Sequence, residues 1–155
     1  MDFDKFYKDN YSSIFSFCLQ WTGNSDDAKD IAQETFTELF ETIAKQSNIT
    51  NPRAWAYRVA YNRCINLHKK KQRFTQCDIS EIQTFQTKDD SLEKREQYRK
   101  IRAAMNKLNE KEKTLVILYK ERFSYKEMAT VVEMNEKSVG KTLARAITKI
   151  SSLLN

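Results

Sequence analysis

The sequence predicts an all-α protein of two small helical domains joined by a flexible linker, and three observations carry that prediction. First, 2 Gly and 1 Pro among 155 residues lie far below the roughly 12 % that the pair averages. Strands joined by tight turns lean on those two residues, so the composition argues against a β-rich fold. Second, apolar residues recur at three- and four-residue spacing through most of the chain, the period of an amphipathic helix. Third, from about Phe74 to Asp90 that periodicity fails and Thr, Gln and Asp dominate, the composition of a linker between domains.

Phe3, Phe6, Tyr7, Ile14, Phe17, Cys18 and Trp21 predict a first helix over 2–21, broken at Thr22-Gly23-Asn24. Asn24 or Ser25 caps a second helix, with Asp26 and Asp27 in a first turn where the helix dipole favours acids. Its buried stripe is Ala28, Ile31, Ala32, Phe36, Leu39, Phe40 and Ile43. A polar loop, 45–51, follows. Asn51-Pro52 then opens a third helix that runs to about 72, a cap followed by Pro in the first turn. Beyond the linker, Ser91 starts a helix through Ile101 and Met105. Asn109-x-x-Glu112 opens another, with Leu115, Leu118 and Tyr119 inward. Ser124-x-x-Glu127 is a capping box for a short helix from Tyr125 to Val132, whose apolar side is Met128, Ala129 and Val132. Asn135 caps the last helix, which runs to about Leu154.

Composition also excludes chemistry. Gly23 and Gly140 are the only glycines, so neither GxGxxG nor a Walker phosphate loop is present. His68 is the one histidine, which rules out multi-His metal sites; Cys64-x-x-x-His68 has no second pair nearby. No metal or cofactor is expected, and no nucleophile, base or paired catalytic carboxylate is assembled. Cys18, Cys64 and Cys77 are scattered and odd in number, as in a reducing cytosol. The N-terminus MDFDKF lacks signal-peptide charge and no 18-residue apolar run exists, so the expectation is a cytoplasmic protein without membrane insertion.

The formal charge of +6 conceals segregation. Residues 2–49 hold 9 acids and 4 bases, 50–75 hold 7 bases and no acid, and 137–155 hold 4 bases and no acid. Two separated basic blocks suit two contacts on one extended polyanion, although two solvated helix faces would read the same way. In the last helix Lys137, Lys141, Arg145 and Lys149 recur every four residues opposite the apolar stripe Val139, Leu143, Ile147, Ile150 and Leu154. With Ser138 and Thr142 beside the cations, and a short capped helix ahead docking on the stripe, this is the arithmetic of a helix-turn-helix entering a major groove.

The third helix interleaves Trp55, Tyr57 and Tyr61 with Arg53, Arg58 and Arg63, then runs into His68-Lys69-Lys70-Lys71. Cations that track a backbone beside rings that stack on bases suit single-stranded nucleic acid; the other reading places Trp55 and Tyr57 partly in the core. Arg58, Asn62 and Asn66 share a face at spacing four. On the second helix Asp27, Asp30, Glu34, Glu38 and Glu41, with Gln33 and Thr37, form an acidic face that is either merely solvated or a dock for a basic partner.

These blocks resemble regions 2 and 4 of bacterial RNA polymerase sigma factors of the small extracytoplasmic-function (ECF) type, group IV of the sigma-70 family. DDAKDIAQETFTELF resembles region 2.2 at Asp30, Gln33, Glu34 and Phe36. NPRAWAYRVAYNRCINLHKKK resembles regions 2.3 and 2.4 at Trp55, Tyr57, Arg58, Ala60 and Asn62. FSYKEMATVVEMNEKSVGKTLARAITKI resembles region 4.2 at Ser124, Tyr125, Glu127, Met128, Ala129, Val139, Leu143, Arg145 and Ala146. Three positions depart from the family pattern: Glu133 stands where Gly is usual in the turn, Thr142 replaces an Arg, and Asn66 replaces an Asp. Gly140 also interrupts the last helix, at about 1 kcal/mol relative to Ala.

The resemblance implies a domain over 1–75 that docks on core polymerase and melts the minus-ten element, a linker over 76–92, and a helix-turn-helix domain over 93–155 for the minus-thirty-five element. Asp27, Asp30, Gln33, Glu34, Thr37 and Glu38 would face the β′ clamp. Asn48, Asn51, Arg53, Trp55, Tyr57, Arg58, Tyr61, Asn62, Arg63, Asn66, Lys69 and Lys70 would hold the minus-ten strand, with the loop 45–51 forming the pocket for a flipped base. Ser124, Tyr125, Lys137, Ser138, Lys141, Thr142, Arg145 and Lys149 would meet the minus-thirty-five duplex. Expected partners are core polymerase at its β′ clamp and β flap, promoter DNA, and an anti-sigma factor. The ECF type has no region 1.1 ahead of residue 1 and no folded region 3, for which a 17-residue linker is too short. The competing readings are a stand-alone helix-turn-helix regulator, which leaves helices two and three without a task, and a helical protein-interaction adaptor.

Overall fold

The computed structural model describes residues 2–45, 48–74 and 92–154. Among them are seven helices and no strand: α1 (Phe3–Thr22), α2 (Ser25–Ala44), α3 (Pro52–Phe74), α4 (Leu92–Asn106), α5 (Glu110–Lys120), α6 (Tyr125–Val132) and α7 (Glu136–Leu154). The linker reading lies outside the described residues except for Leu92, the first residue of α4, and Gln46 and Ser47 of the polar loop also lie outside them. The chain divides into two compact units, the first built on α1–α3 and the second containing α4, α5, α7 and the body of α6.

In the first unit each of the three helices packs on the other two. Asp2 caps α1 by accepting from the Lys5 N–H, and Asn24 caps α2 by accepting from the Asp27 N–H at 3.0 Å. Gly23 closes α1 at φ 70°, its N–H bonding the Leu19 carbonyl, a left-handed position that glycine takes without strain. Ile14, Phe17 and Cys18 of α1, Ala28, Ala32, Phe36 and Leu39 of α2, and Ala56, Tyr57, Ala60 and Cys64 of α3 make the core. Cys18 and Cys64 pack there as small hydrophobes. Phe40, expected in the buried stripe of α2, is 55 % exposed. It sits one position beyond the buried arc that ends at Leu39, and rests its ring edge-on against Phe3 with centroids 5.2 Å apart.

In the second unit α7 packs chiefly on α5 and α4. The sequence pattern would dock it on the short helix instead; α6 is only 8 residues long, and a 19-residue helix outruns it. The apolar stripe of α7 is correspondingly short. Val139, Leu143 and Ala146 are buried, whereas Ile147 and Leu154 are exposed. Tyr119, expected inward, is also exposed, because the buried run of α5 ends at Leu118.

Both expected capping boxes form. Asn109 and Glu112 exchange backbone N–H bonds at 2.8 and 3.1 Å, and Ser124 and Glu127 do so at 3.1 Å each. The turns on either side of α6, however, use no glycine. Arg122 stands at φ 62° after α5, with its N–H on the Tyr119 carbonyl and the Phe123 N–H on the Leu118 carbonyl. Glu133 stands at φ 55° after α6, with the Met134 N–H on the Ala129 carbonyl. These are left-handed helix terminators occupied by side chains that disfavour them. Glu133 is the position where the resembled family carries Gly.

Candidate docking and nucleic-acid faces

The acidic face of α2 is built by helical spacing alone, since Asp30, Gln33, Glu34, Thr37 and Glu41 are exposed on the side away from Ile31, Phe36 and Leu39. Gln33 reaches the Tyr7 hydroxyl at 3.5 Å, and the Thr37 hydroxyl turns back onto the Gln33 carbonyl at 2.9 Å. Two ends of this face are already engaged within the unit. Asp27 pairs with Lys71 of α3. Glu34 and Glu38, one turn apart, accept from Arg63 of α3 at 2.7 and 3.0 Å. Asp30 is left outward in the middle.

The α3 candidates separate into three groups. Arg58, Asn62, Asn66, Lys69 and Lys70 are exposed, and the Arg58 guanidinium is paired with the Glu133 carboxylate at 2.6–2.8 Å. Trp55 and Arg53 are half-buried, with the Arg53 guanidinium 5.9 Å from the centre of the Tyr57 ring. Tyr57 and Tyr61 are buried, at 0 % and 4 % exposure, and Tyr57 meets Phe17 edge-to-face with centroids 5.2 Å apart. They therefore offer no face to a base in this conformation. At positions 54, 57, 60, 61 and 64 α3 has its own apolar stripe, and that stripe claims both tyrosines. Asn51 accepts from the Ala54 N–H at 3.1 Å, so its side chain serves as the cap of α3; Asn48 is exposed.

On α7, Lys137, Ser138, Lys141 and Arg145 are exposed and Thr142 is half-buried, its hydroxyl on the Ser138 carbonyl at 2.9 Å. Asn135 caps the helix by accepting from the Lys137 N–H at 3.0 Å. Ser124 is spent on its capping box, and Tyr125, half exposed, lies over Gly140, where an added Cβ would meet its ring at 3.5 Å. Lys149 departs from its expected role. It turns inward to Glu112 of α5 at 2.9–3.0 Å. Glu112 is 4 % exposed. Burial pushes its carboxyl upward, but the Lys149 bond, the Asn109 N–H and the charges of Lys149 and Arg145 outweigh burial and hold it below the ordinary glutamate range. The sequence signals each of these partners as a charge on a helix face; which charges meet across helices was not legible before the fold.

Among the described residues no helix is long and apolar enough to cross a membrane, and no group of His, Cys, Asp or Glu is arranged to hold a metal ion.

Comparison with known proteins gives the family. The family described as Sigma-70 region 2 matches residues 6–74, and Sigma-70, region 4 matches residues 98–150. The chain is 25 % identical over 146 residues to the RNA polymerase sigma factor YlaC of Bacillus subtilis, covering 90 % of this chain and 84 % of that protein. It is 26 % identical over 144 residues to the ECF RNA polymerase sigma factor EcfG of Rhodopseudomonas palustris, covering 92 % and 79 %. Its fold superimposes on RpoE of Bartonella quintana, solved in complex with the anti-sigma factor NepR, with a TM-score of 0.78 at 19 % identity over 99 % of this chain and 96 % of that one. It also superimposes on CnrH, solved with the cytosolic domain of CnrY, with a TM-score of 0.71 at 19 % identity over 98 % and 86 %. The protein belongs to the sigma-70 family of RNA polymerase sigma factors and is of the ECF type.

Proposed function

We propose a division of labour in which residues 1–75 dock on core RNA polymerase and hold the melted minus-ten strand, residues 76–92 span the two elements, and residues 93–155 read the minus-thirty-five duplex. The observation that carries it is the segregation of exposed charge by helix: acids on α2, cations and amides on α3, cations on α7. Asp30, Gln33 and Thr37, flanked by Asp27, Glu34 and Glu38, meet the β′ clamp. Arg58, Asn62, Asn66, Lys69 and Lys70, with Asn48 and the half-buried Arg53 and Trp55, take the displaced strand, and Tyr57, Tyr61 and Asn51 shape α3 from within. Lys137, Ser138, Lys141, Thr142 and Arg145 enter the major groove, while Ser124 caps α6 and Tyr125 lies over Gly140 beside them.

The chain performs no bond-making step of its own. Its work is binding and strand capture in the cytoplasm, on the polymerase that does the chemistry. Core polymerase, through its β′ clamp and β flap, and promoter DNA are its partners. An anti-sigma factor is a further partner, as NepR is for RpoE in the complex that defines its structure.

The assignment is tested by one substitution per face in a reconstituted initiation assay. Asp30→Arg is expected to lower core affinity and leave duplex binding unchanged. Lys141→Gln is expected to lower minus-thirty-five binding with core affinity intact. Trp55→Ala is expected to preserve both and reduce permanganate-reactive opening at minus ten. Effects that do not separate by helix contradict the assignment.

A further inference from the structure

The resemblance places Arg63 among the residues that hold DNA, but its surroundings fit another task. The Nη1 and Nη2 nitrogens of Arg63 bond Glu34 and Glu38 at 2.7 and 3.0 Å, and its Nε is buried without a hydrogen-bond partner. Two carboxylates and one guanidinium leave one net negative charge there. A DNA phosphate approaching that cluster meets like charge, and would have to displace carboxylates that already use both outward nitrogens. Glu34 and Glu38, in turn, are like charges four residues apart on one helix, which repel and would leave their flexible side chains scattered. Arg63, rooted on a neighbouring helix, holds both in one geometry.

From this the structure assigns Arg63 as a positioning residue for polymerase docking: it pre-orders Glu34 and Glu38 for a basic partner surface and does not itself contact the minus-ten strand. The assignment rests on the reading of α2 as the docking face. Its consequence is specific. Removing Arg63 weakens a complex it does not touch and spares the nucleic acid it was expected to touch.

The test uses the full chain with core polymerase and the variants Arg63→Gln, Arg63→Lys, Glu34→Gln and the Arg63→Gln, Glu34→Gln double variant. Arg63→Gln is expected to weaken core affinity about tenfold, the cost of ordering one or two rotamer-rich side chains on binding, and Arg63→Lys to recover part of the loss. Glu34→Gln is expected to cost less in the Arg63→Gln background than alone, the non-additivity of groups that act as one. With core saturating, the affinity of the Arg63→Gln holoenzyme for a single-stranded minus-ten oligonucleotide should match the wild type within about twofold, the usual scatter of independent sites. Trp21 and Trp55, the only tryptophans, both lie in the first unit, so their fluorescence fixes a temperature at which every variant is folded. Unchanged core affinity with weakened strand binding would overturn the proposal and return Arg63 to the DNA. A loss of core affinity equal in Arg63→Lys and additive with Glu34→Gln would also overturn it. A wild-type chain that does not bind core at all would instead remove the docking-face reading beneath it.

Discussion

Arg122 and Glu133 hold left-handed backbone at φ 62° and 55°, where a side chain costs roughly 1–2 kcal/mol relative to glycine. In a chain with 2 glycines, the turns on either side of α6 are made with what is available, and the Phe123 and Met134 N–H bonds compensate. Arg122→Gly should therefore stabilise the end of α5 by about 1 kcal/mol, after allowing for the freer unfolded chain, seen as slower native-state hydrogen exchange of the Leu118–Phe123 amides. Gly140→Ala should act in the same direction by about 0.5–1 kcal/mol, because the added methyl meets the Tyr125 ring at an ordinary 3.5 Å contact; faster exchange along α7 would contradict it. The Glu112–Lys149 pair carries a pH dependence. The carboxyl is depressed in the folded chain, so its stabilisation is complete above the ordinary glutamate range and lost as pH falls through the folded value. Lys149→Met should remove that component of acid unfolding and cost about 1–2 kcal/mol at neutral pH, less than a fully buried pair because Lys149 is half exposed.

At the scale of helices, exposed cations differ in what they are free to do. Lys137 and Lys141 stand outward on α7, while Lys149 on the same helical row is turned to α5. Phosphate contacts set how steeply affinity falls with salt, each contributing nearly one unit of slope. Replacing Lys137 or Lys141 by Gln should flatten the salt dependence of minus-thirty-five duplex binding by about one unit each, and Lys149→Gln should flatten it less; fluorescence anisotropy over a salt series distinguishes them. The seven helices and both capping boxes were legible in the sequence, because periodicity, Asn-Pro, Asn-x-x-Glu and Ser-x-x-Glu are local signals. Burial of Tyr57 and Tyr61 was half legible. Position 57 follows 54 by three and position 61 follows 57 by four, a core stripe, but aromatic rings among arginines carry a nucleic-acid signal of equal strength, and only packing against Phe17 decides. The exposure of Phe40, Tyr119 and Ile147 follows from where neighbouring helices end, which no single helix's pattern records.

For the whole molecule, the proposed division of labour rests on an acidic face on α2 and basic faces on α3 and α7, in chain order on separate helices. Order was legible, because composition changes abruptly at residues 50, 76 and 137. Cross-helix pairing was not: Arg63 to Glu34 and Glu38, Lys71 to Asp27, and Lys149 to Glu112 each remove a charge from a face that the linear pattern counted as open. The duplex and strand faces together should still give a strongly salt-dependent promoter complex, with affinity falling about 10³–10⁵-fold between roughly 50 and 200 mM salt for 6–10 phosphate contacts.

Together the two units confer promoter choice on core polymerase. The most direct test is run-off transcription from a genomic fragment library by purified core polymerase, with and without the protein. Start sites that depend on the protein and share two spaced upstream elements are the predicted result. No protein-dependent starts, together with failure to co-elute with core, would contradict a role in promoter choice and leave a duplex-binding regulator in its place.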